Sequence, residues 1–241
     1  MISIIIPTRN EEKIIESTLK RLKDGIKKFQ YEIIVVDGGS SDKTLEIVKK
    51  YTDKIVLQKE GPHKTIGQGK NLGAEIAKGQ YLLFMDADVY MPDADYCIEN
   101  ILKIFSTNDK MVGVAISQKV MPEYETFSDK VILYICNAYL AMVNNVFGSG
   151  AAPGEFQFIK TDIFRKLGGY DERLVVAEDN EFFSRLSKIG KTHFDRQIFF
   201  YHTGRRAHKI GWPRLLFSWW SNYISVIIFK KSVSKEWKVI R

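Results

Sequence analysis

The chain has 241 residues, 45% of them hydrophobic and 27% charged, with a formal net charge of +7. That apolar content supports one sizeable core and excludes disordered, collagen-like and coiled-coil classes, and two distant cysteines, Cys97 and Cys136, exclude a disulfide scaffold and fit a reducing compartment. From Lys188 onward basic residues face only Asp195 and Glu236, whereas residues 1–187 carry slightly more acid than base, which argues against a uniformly basic nucleic-acid coat and for one basic region with its own partner.

The first half alternates strand and helix. Ile2 to Ile6 is a β-branched run suited to a strand buried on both faces. Thr8-x-x-Glu11 reads as a capping box for a helix carrying Ile15, Leu19, Leu22 and Ile26. Glu32 to Val36 is a second strand ending at Asp37. Gly38-Gly39-Ser40 then turns into a helix from Asp42 to Tyr51, and Lys54 to Leu57 is a short third strand. Thr65 to Lys78 is a helix closed by Gly79, and Tyr81 to Met85 a fourth strand ending at Asp86. This alternation predicts an α/β fold with a mostly parallel, doubly wound sheet, whose ligands bind beyond the carboxyl ends of the strands. Pro7, Asp37 and Asp86 fall on that rim.

Later elements are a helix opened by Pro92 and Asp93 and running to Phe105, a strand over Met111 to Ser117, and an apolar helix over residues 126–147. Asn137, Asn144 and Asn145 interrupt the apolar stretch from Val131 to Val146, which reads as core packing. A loop of small residues, Gly148 to Gly154, precedes a strand over Phe156 to Ile159, and short helices end at Gly168-Gly169 and run from Glu178 to Lys188. Ile198 to Tyr201 is a strand. Met1 to Pro7 lacks a leader's charged region, and no stretch clearly reaches membrane-spanning length; the nearest is 212–229.

Asp86-Ala87-Asp88 is the sharpest chemical feature. Two carboxylates so close at a strand end repel unless a cation or protons intervene, and hard oxygen ligands suit Mg²⁺ or Mn²⁺ with phosphate oxygens; a solvated acidic turn is the plainer alternative. In Asp37-Gly38-Gly39-Ser40-Ser41-Asp42, Asp37 can accept hydrogen bonds from a base or ribose, while Asp42 serves a site or a helix start equally well. Neither a Walker nor a Rossmann fingerprint is present.

Ile-Pro-Thr-Arg-Asn-Glu-Glu at 6–12, DGGSSD at 37–42, Gly69-Lys70-Asn71-x-Gly73, Ala77-x-Gly79 and Asp86-Ala87-Asp88 occur in that order. Together they resemble the nucleotide-sugar half of a family 2 glycosyltransferase with the GT-A fold. Gly168-Gly169-Tyr170-Asp171 and Glu178-Asp179 extend the resemblance to about residue 205. It implies a catalytic domain over 1–204, with 1–90 the nucleotide-sugar half and 91–204 the acceptor half. Pro7, Thr8 and Glu11 would line the nucleotide pocket, with Asp37 on the base and Ser40 beside it. Lys70 stands where relatives usually carry Arg, which weakens its assignment to phosphate or ribose. Asp86 would face ribose, sugar or metal, and Asp88 would hold Mn²⁺ or Mg²⁺ on the diphosphate of a UDP- or GDP-sugar. Asp179 would be the general base of an inverting displacement; on its own, Glu178-Asp179 reads as an acidic helix start. His202 would be a metal ligand or a satisfied histidine in a basic turn, and Arg205 and Arg206 would bind diphosphate. Glu155 could contact an acceptor hydroxyl. His63 and Lys64 are weaker nucleotide candidates, and His193 and His208 read as bystanders.

Residues 205–241 form a basic segment around an amphipathic helix, Trp212 to Phe229, with Ser218, Ser221, Asn222 and Ser225 mainly opposite its apolar residues. Such a helix docks on a membrane surface, packs on the catalytic domain or meets another subunit. A membrane-bound tail would make a lipid-linked acceptor natural. The chain would then be similar to polyprenyl-phosphate or lipid-linked glycan glycosyltransferases, cytoplasmic or at the cytoplasmic face of the membrane. The rival functions are a nucleotidyltransferase, which should carry a glycine-rich basic loop after the first strand, and an inactive nucleotide-sugar-binding membrane-surface protein. No nucleic-acid partner is expected.

Overall fold

The computed structural model describes residues 1–59 and 64–234. Seven strands form one mixed sheet in the order β3-β2-β1-β4-β6-β5-β7: β1 (Ile2–Thr8), β2 (Tyr31–Asp37), β3 (Ile55–Leu57), β4 (Tyr81–Met85), β5 (Met111–Val120), β6 (Phe156–Lys160) and β7 (Lys191–His202). β1 to β4 are mutually parallel, joined through α1 (Ile15–Gly25), α2 (Thr44–Val48) and α3 (Ile66–Ile76). β7 is parallel to β5, and β6 is antiparallel to both β4 and β5. The amide of Asp86, just past β4, donates to Glu155 O at 3.1 Å. β6 therefore starts at the rim where β4 ends and runs back, which is why it departs from the expected parallel order.

The β-branched run in β1 works as its pattern predicts. Ile2, Ile4 and Ile6 join a core on one face with α1 and α4 (Ala94–Ser106), while Ile5 joins the other with Phe84 and Phe182. A Cβ on Gly73 of α3 would lie 2.5 Å from Ile5 Cγ2, so this glycine lets α3 close onto β1. Asp93 caps α4 by accepting from the Tyr96 amide at 2.9 Å, as expected.

The capping box at Thr8 is absent. Thr8 ends β1, its hydroxyl donating to Val36 O at 3.4 Å, and α1 begins only at Ile15. The apolar helix after β5 is α5 (Phe127–Ala141), closed by a π-helical turn, Met142–Val146, and its capping box pairs Thr126 with Asp129. Its core contribution is one face: Leu133, Asn137 and Leu140 are buried, whereas Phe127, Val131, Ile135 and Tyr139 are exposed. The core-packing expectation thus holds for half of this helix. α6 (Thr161–Lys166) and α7 (Glu178–Leu186) follow, and α8 (Arg205–Ile210), unforeseen in the sequence, precedes α9 (Trp212–Phe229).

Asp129, with no exposed side-chain surface, anchors both terminal helices. It meets His208 Nε2 at 2.8 Å and accepts from Trp212 Nε1 at 2.7 Å. Trp212 and Leu215 pack with Val120 and Leu133, and Val226 packs with Leu174 and Val176. Among the described residues no helix is long and apolar enough to cross a membrane.

Candidate active site

Carboxylates gather where β4, the loop before β6 and the start of α7 meet. Burial pushes the Asp86 carboxyl up to about 8, with Glu155 and Asp88 adding to the rise and Lys70 and Arg205 opposing it. Asp88 is buried; it accepts the Thr203 hydroxyl and lies 3.5 Å from Arg205 Nε. Arg205 also forks onto Glu11, with both nitrogen–oxygen distances 2.7 Å. Glu11 and Arg205, both expected against the nucleotide, therefore hold one another. Their bidentate pair ties the β1–α1 loop to α8 beside Asp88.

Asp179 sits in the first turn of α7 with Glu178 and Glu181, so the residue expected to be the base is also part of a dipole-favoured acidic helix start. Its Oδ1 accepts from the Asn180 amide at 2.8 Å. A Cβ on Gly154 would come within 2.9 Å of Oδ2, so the glycine keeps the space beside that oxygen open. Burial pushes Asp179 up to about 7, Glu178 adds to this and Lys70 opposes it. A carboxylate in that range is half ionised near neutrality, as proton abstraction requires.

Lys70 is 1% exposed, buried among these groups. Its Nζ lies 3.3 Å from Glu178 Oε1 and 3.2 Å from Gly154 O, over the Tyr170 ring. Burial alone would lower its pKa, but Glu178, Asp86 and Asp179 hold it above the usual lysine value. In this arrangement Lys70 is a counter-charge that keeps several carboxylates in one place.

Ala177, immediately before Glu178, has φ +67°, a left-handed conformation that strains a residue with a Cβ. The preceding backbone is clamped by Ser232 Oγ. This hydroxyl accepts from the Val175 and Val176 amides at 3.1 and 3.2 Å and donates to Val176 O at 2.9 Å. Asn222 Oδ1 of α9 holds the same C-terminal turn by accepting from the Val233 and Ser234 amides.

On the nucleotide side Pro7 lies at the end of β1 and Asp37 at the end of β2, on the rim. Asp37 is 2% exposed: its Oδ2 accepts from the Gly39 and Ser40 amides, each at 2.9 Å, and its Oδ1 from Ser40 Oγ. Ser40 Oγ in turn accepts from the Asn10 amide at 2.8 Å. Asp42 accepts from the Thr44 amide and hydroxyl, taking the helix-start role. Asp37 and Ser40 thus shape the loop through bonds to it. Lys64 is half-buried, and His63 falls outside the described residues. Arg206 is half-buried in α8. His208, expected to be a bystander, is the Asp129 partner.

A divalent cation fits the donor atoms present. Asp86 and Asp88 are crowded carboxylates, and His202 accepts from the Gly204 amide through Nδ1 while its Nε2 is buried without a partner. Among the described residues no three His, Cys, Asp or Glu side chains form a ready cage. Such a site leaves coordination positions for substrate oxygens, as Mg²⁺ and Mn²⁺ sites commonly do. Thr203 and Ser232 escaped sequence reasoning, since no local pattern marks a hydroxyl whose partner is distant in the chain.

Residues 3–168 match the family described as "Glycosyl transferase family 2". The poly(ribitol-phosphate) beta-N-acetylglucosaminyltransferase TarS of Staphylococcus aureus is 32% identical over 145 residues, covering 54% of this chain and 25% of TarS. The succinoglycan biosynthesis protein ExoA of Rhizobium meliloti is 31% identical over 196 residues, 78% of this chain and 58% of ExoA. The chain therefore spans between a quarter and somewhat over half of these relatives' lengths. In fold it is similar to mannosyltransferase PcManGT from Pyrobaculum calidifontis in complex with GDP-Man and Mn²⁺ (TM-score 0.64, 18% identity, covering 84% of this chain and 56% of that one). Glucosyl-3-phosphoglycerate synthase from Mycobacterium tuberculosis, with Mn²⁺, UDP and glucosyl-3-phosphoglycerate, gives the same TM-score of 0.64 at 16% identity, covering 95% of this chain and 78% of that one. With its sheet order, its paired strand-end carboxylates and the family match in agreement, the chain belongs to glycosyl transferase family 2 and has the GT-A fold.

Proposed function

We propose that this protein transfers a sugar, with metal dependence and inversion, from a nucleotide-diphosphate sugar to a hydroxyl or phosphate acceptor. The observation that carries this reading is Asp179: a half-buried carboxyl raised to about 7, with one oxygen open beside Gly154 in the same carboxylate cluster as Asp86. Asp179 would take the acceptor proton as the acceptor oxygen attacks the anomeric carbon, while the nucleoside diphosphate departs on the opposite side. In this reading Arg205 and Arg206 would face the departing charge, and Glu155 the acceptor. Asp88, with Asp86 and His202, would hold Mn²⁺ or Mg²⁺, which when bound supplies Lewis-acid stabilisation of the diphosphate. The complexes of PcManGT with GDP-Man and Mn²⁺ and of TarS with UDP-GlcNAc support a UDP- or GDP-sugar donor.

Residues 1–204 form the catalytic unit in this reading, and residues 205–241 a basic segment that touches the cytoplasmic face of the membrane, where a lipid-linked acceptor would be met. The test is release of nucleoside diphosphate from UDP-glucose, UDP-GlcNAc and GDP-mannose, each with Mn²⁺. Metal-dependent release from one donor, about a hundredfold slower or worse in Asp179→Asn, is expected. Equal release by wild type and variant would refute the assignment of the base. Pyrophosphate-dependent formation of UTP or GTP would point to nucleotidyl transfer instead.

A further inference from the structure

α9 buries Trp212, Leu215 and Val226 on one face, yet it also buries a polar residue and leaves a second set of large apolar residues in solvent. Asn222 is 1% exposed and fastened to Ser234 and the Ser218 carbonyl, and Ser225 donates to Lys231 O at 2.7 Å. Phe217, Trp220, Ile228 and Phe229 face solvent instead, Trp220 at 63%.

α5 and its π-helical turn lie alongside. Asp129 meets Trp212 near the start of both helices, and further along Tyr223, its pKa raised by burial and by Tyr139, sits beside that residue, so the two run side by side in the same direction. The outer stripe of this second helix is Phe127, Val131, Ile135, Tyr139, Met142 and Val146, all exposed and spaced by three or four residues. No charged residue occurs between Lys130 and Glu155. Two adjoining apolar faces of this kind exceed the scattered exposed residues of an ordinary surface.

The charge around them is predominantly positive. No Asp or Glu occurs from Arg205 to Lys235, and Lys209, Arg214, Lys230 and Lys231 are exposed. At the start of α5, Glu125 is paired with Lys130 at 3.4 Å, leaving Glu123 as the nearby exposed acid. Apolar and aromatic faces flanked by lysine and arginine match a bilayer interface with anionic headgroups.

We infer that α5 with its π-helical turn and α9 form one docking surface for an anionic lipid bilayer, with the acceptor cleft opening at its edge. This rests on the membrane contact proposed above for residues 205–241 and extends it to an element outside that segment. The π-helical turn leads through exposed Phe147 into the loop that ends at Gly154, beside Asp179. Seven residues reach at most about 25 Å. A lipid-anchored acceptor can therefore present its hydroxyl or phosphate to Asp179 while its tail stays in the bilayer.

The test is flotation of the full chain with vesicles of phosphatidylcholine alone or mixed with phosphatidylglycerol. Ile135→Glu and Val146→Glu probe α5 and its turn, Trp220→Glu probes α9, and Tyr96→Glu on α4 is a distant control, with folding checked by circular dichroism. Wild type and the control should float with the anionic vesicles, and all three surface variants should stay behind. Omitting phosphatidylglycerol should weaken binding by about tenfold or more, since each basic residue near an anionic surface adds about a fivefold attraction. Wild-type flotation by folded Ile135→Glu and Val146→Glu would overturn the inclusion of α5. Dimerisation that Ile135→Glu abolishes, with no wild-type flotation, would overturn the bilayer in favour of a second copy. Donor hydrolysis, assayed without lipid, should be unchanged in Ile135→Glu, so a failure of glycosyl transfer reads separately from a failure of docking.

Discussion

Replacing Asp179 by Asn removes the carboxylate proposed to take a proton beside Gly154 and keeps the side chain's size. With its carboxyl raised to about 7, Asp179 is ionised in about one molecule in eleven at about pH 6 and in about ten of eleven at about pH 8. A rate that needs the ionised form should therefore climb about tenfold across that interval and then level. Donor hydrolysis, with water as the acceptor, measures this without an identified acceptor, using whichever nucleotide sugar the wild type consumes fastest. Asp179→Asn should be slower by about a hundredfold or more, with no acid limb. Glu178→Gln supplies an internal check: loss of the neighbouring charge, and release of Lys70 toward Asp179, should move the limb to lower pH. A profile flat from about pH 6 to about pH 8, or an acid limb that survives in Asp179→Asn, would refute the reasoning.

Asp88→Ala should lose the Mn²⁺-dependent part of nucleotide binding in calorimetry, whereas Asp179→Asn should retain it; equal retention in both would remove Asp88 from the metal. Lys70→Met strips the counter-ion from a buried Glu178 and should cost about 3–5 kcal/mol in urea unfolding, much of it recovered when Glu178→Gln is added. Burial alone would raise the Asp129 pKa, but hydrogen bonds from His208, Thr126 and Trp212 outweigh it and hold the carboxyl at about 2 against an ordinary 3.8. A depressed carboxyl stabilises the fold above its unfolded value and loses that contribution as pH falls. The stability gap between wild type and Asp129→Asn should therefore shrink by about 2 kcal/mol from about pH 5 to about pH 2, and a gap that stays constant would show that the ionised form is not what anchors α8 and α9.

The parallel half of the sheet was legible because its signals are local. The run in β1 had to be buried on both faces, and Asp37 and Asp86 marked strand ends by their place in the chain. What could not be read is what those residues touch. Thr8-x-x-Glu11 has a capping spacing, yet the Glu11 carboxylate goes to Arg205, 194 residues away. Lys70 sits in a motif that suggests phosphate, yet its partner is Glu178, 108 residues away. β7 was read from Ile198 because Lys191, His193, Asp195 and Arg196 break the apolar pattern; as an edge strand with a register shift opposite Ile116 and Ser117, it can carry them toward solvent.

Ser232 makes the C-terminal turn and the start of α7 one mechanical unit. Its hydroxyl is fixed by three bonds to residues 175 and 176, and the next residue is the left-handed Ala177 from which α7 springs. A deletion behind Phe229 would leave every rim carboxylate in the chain but free the backbone that sets where Asp179 points. Loss of the tail would then be felt at Asp179 through a torsion angle, with no change in the charge around it.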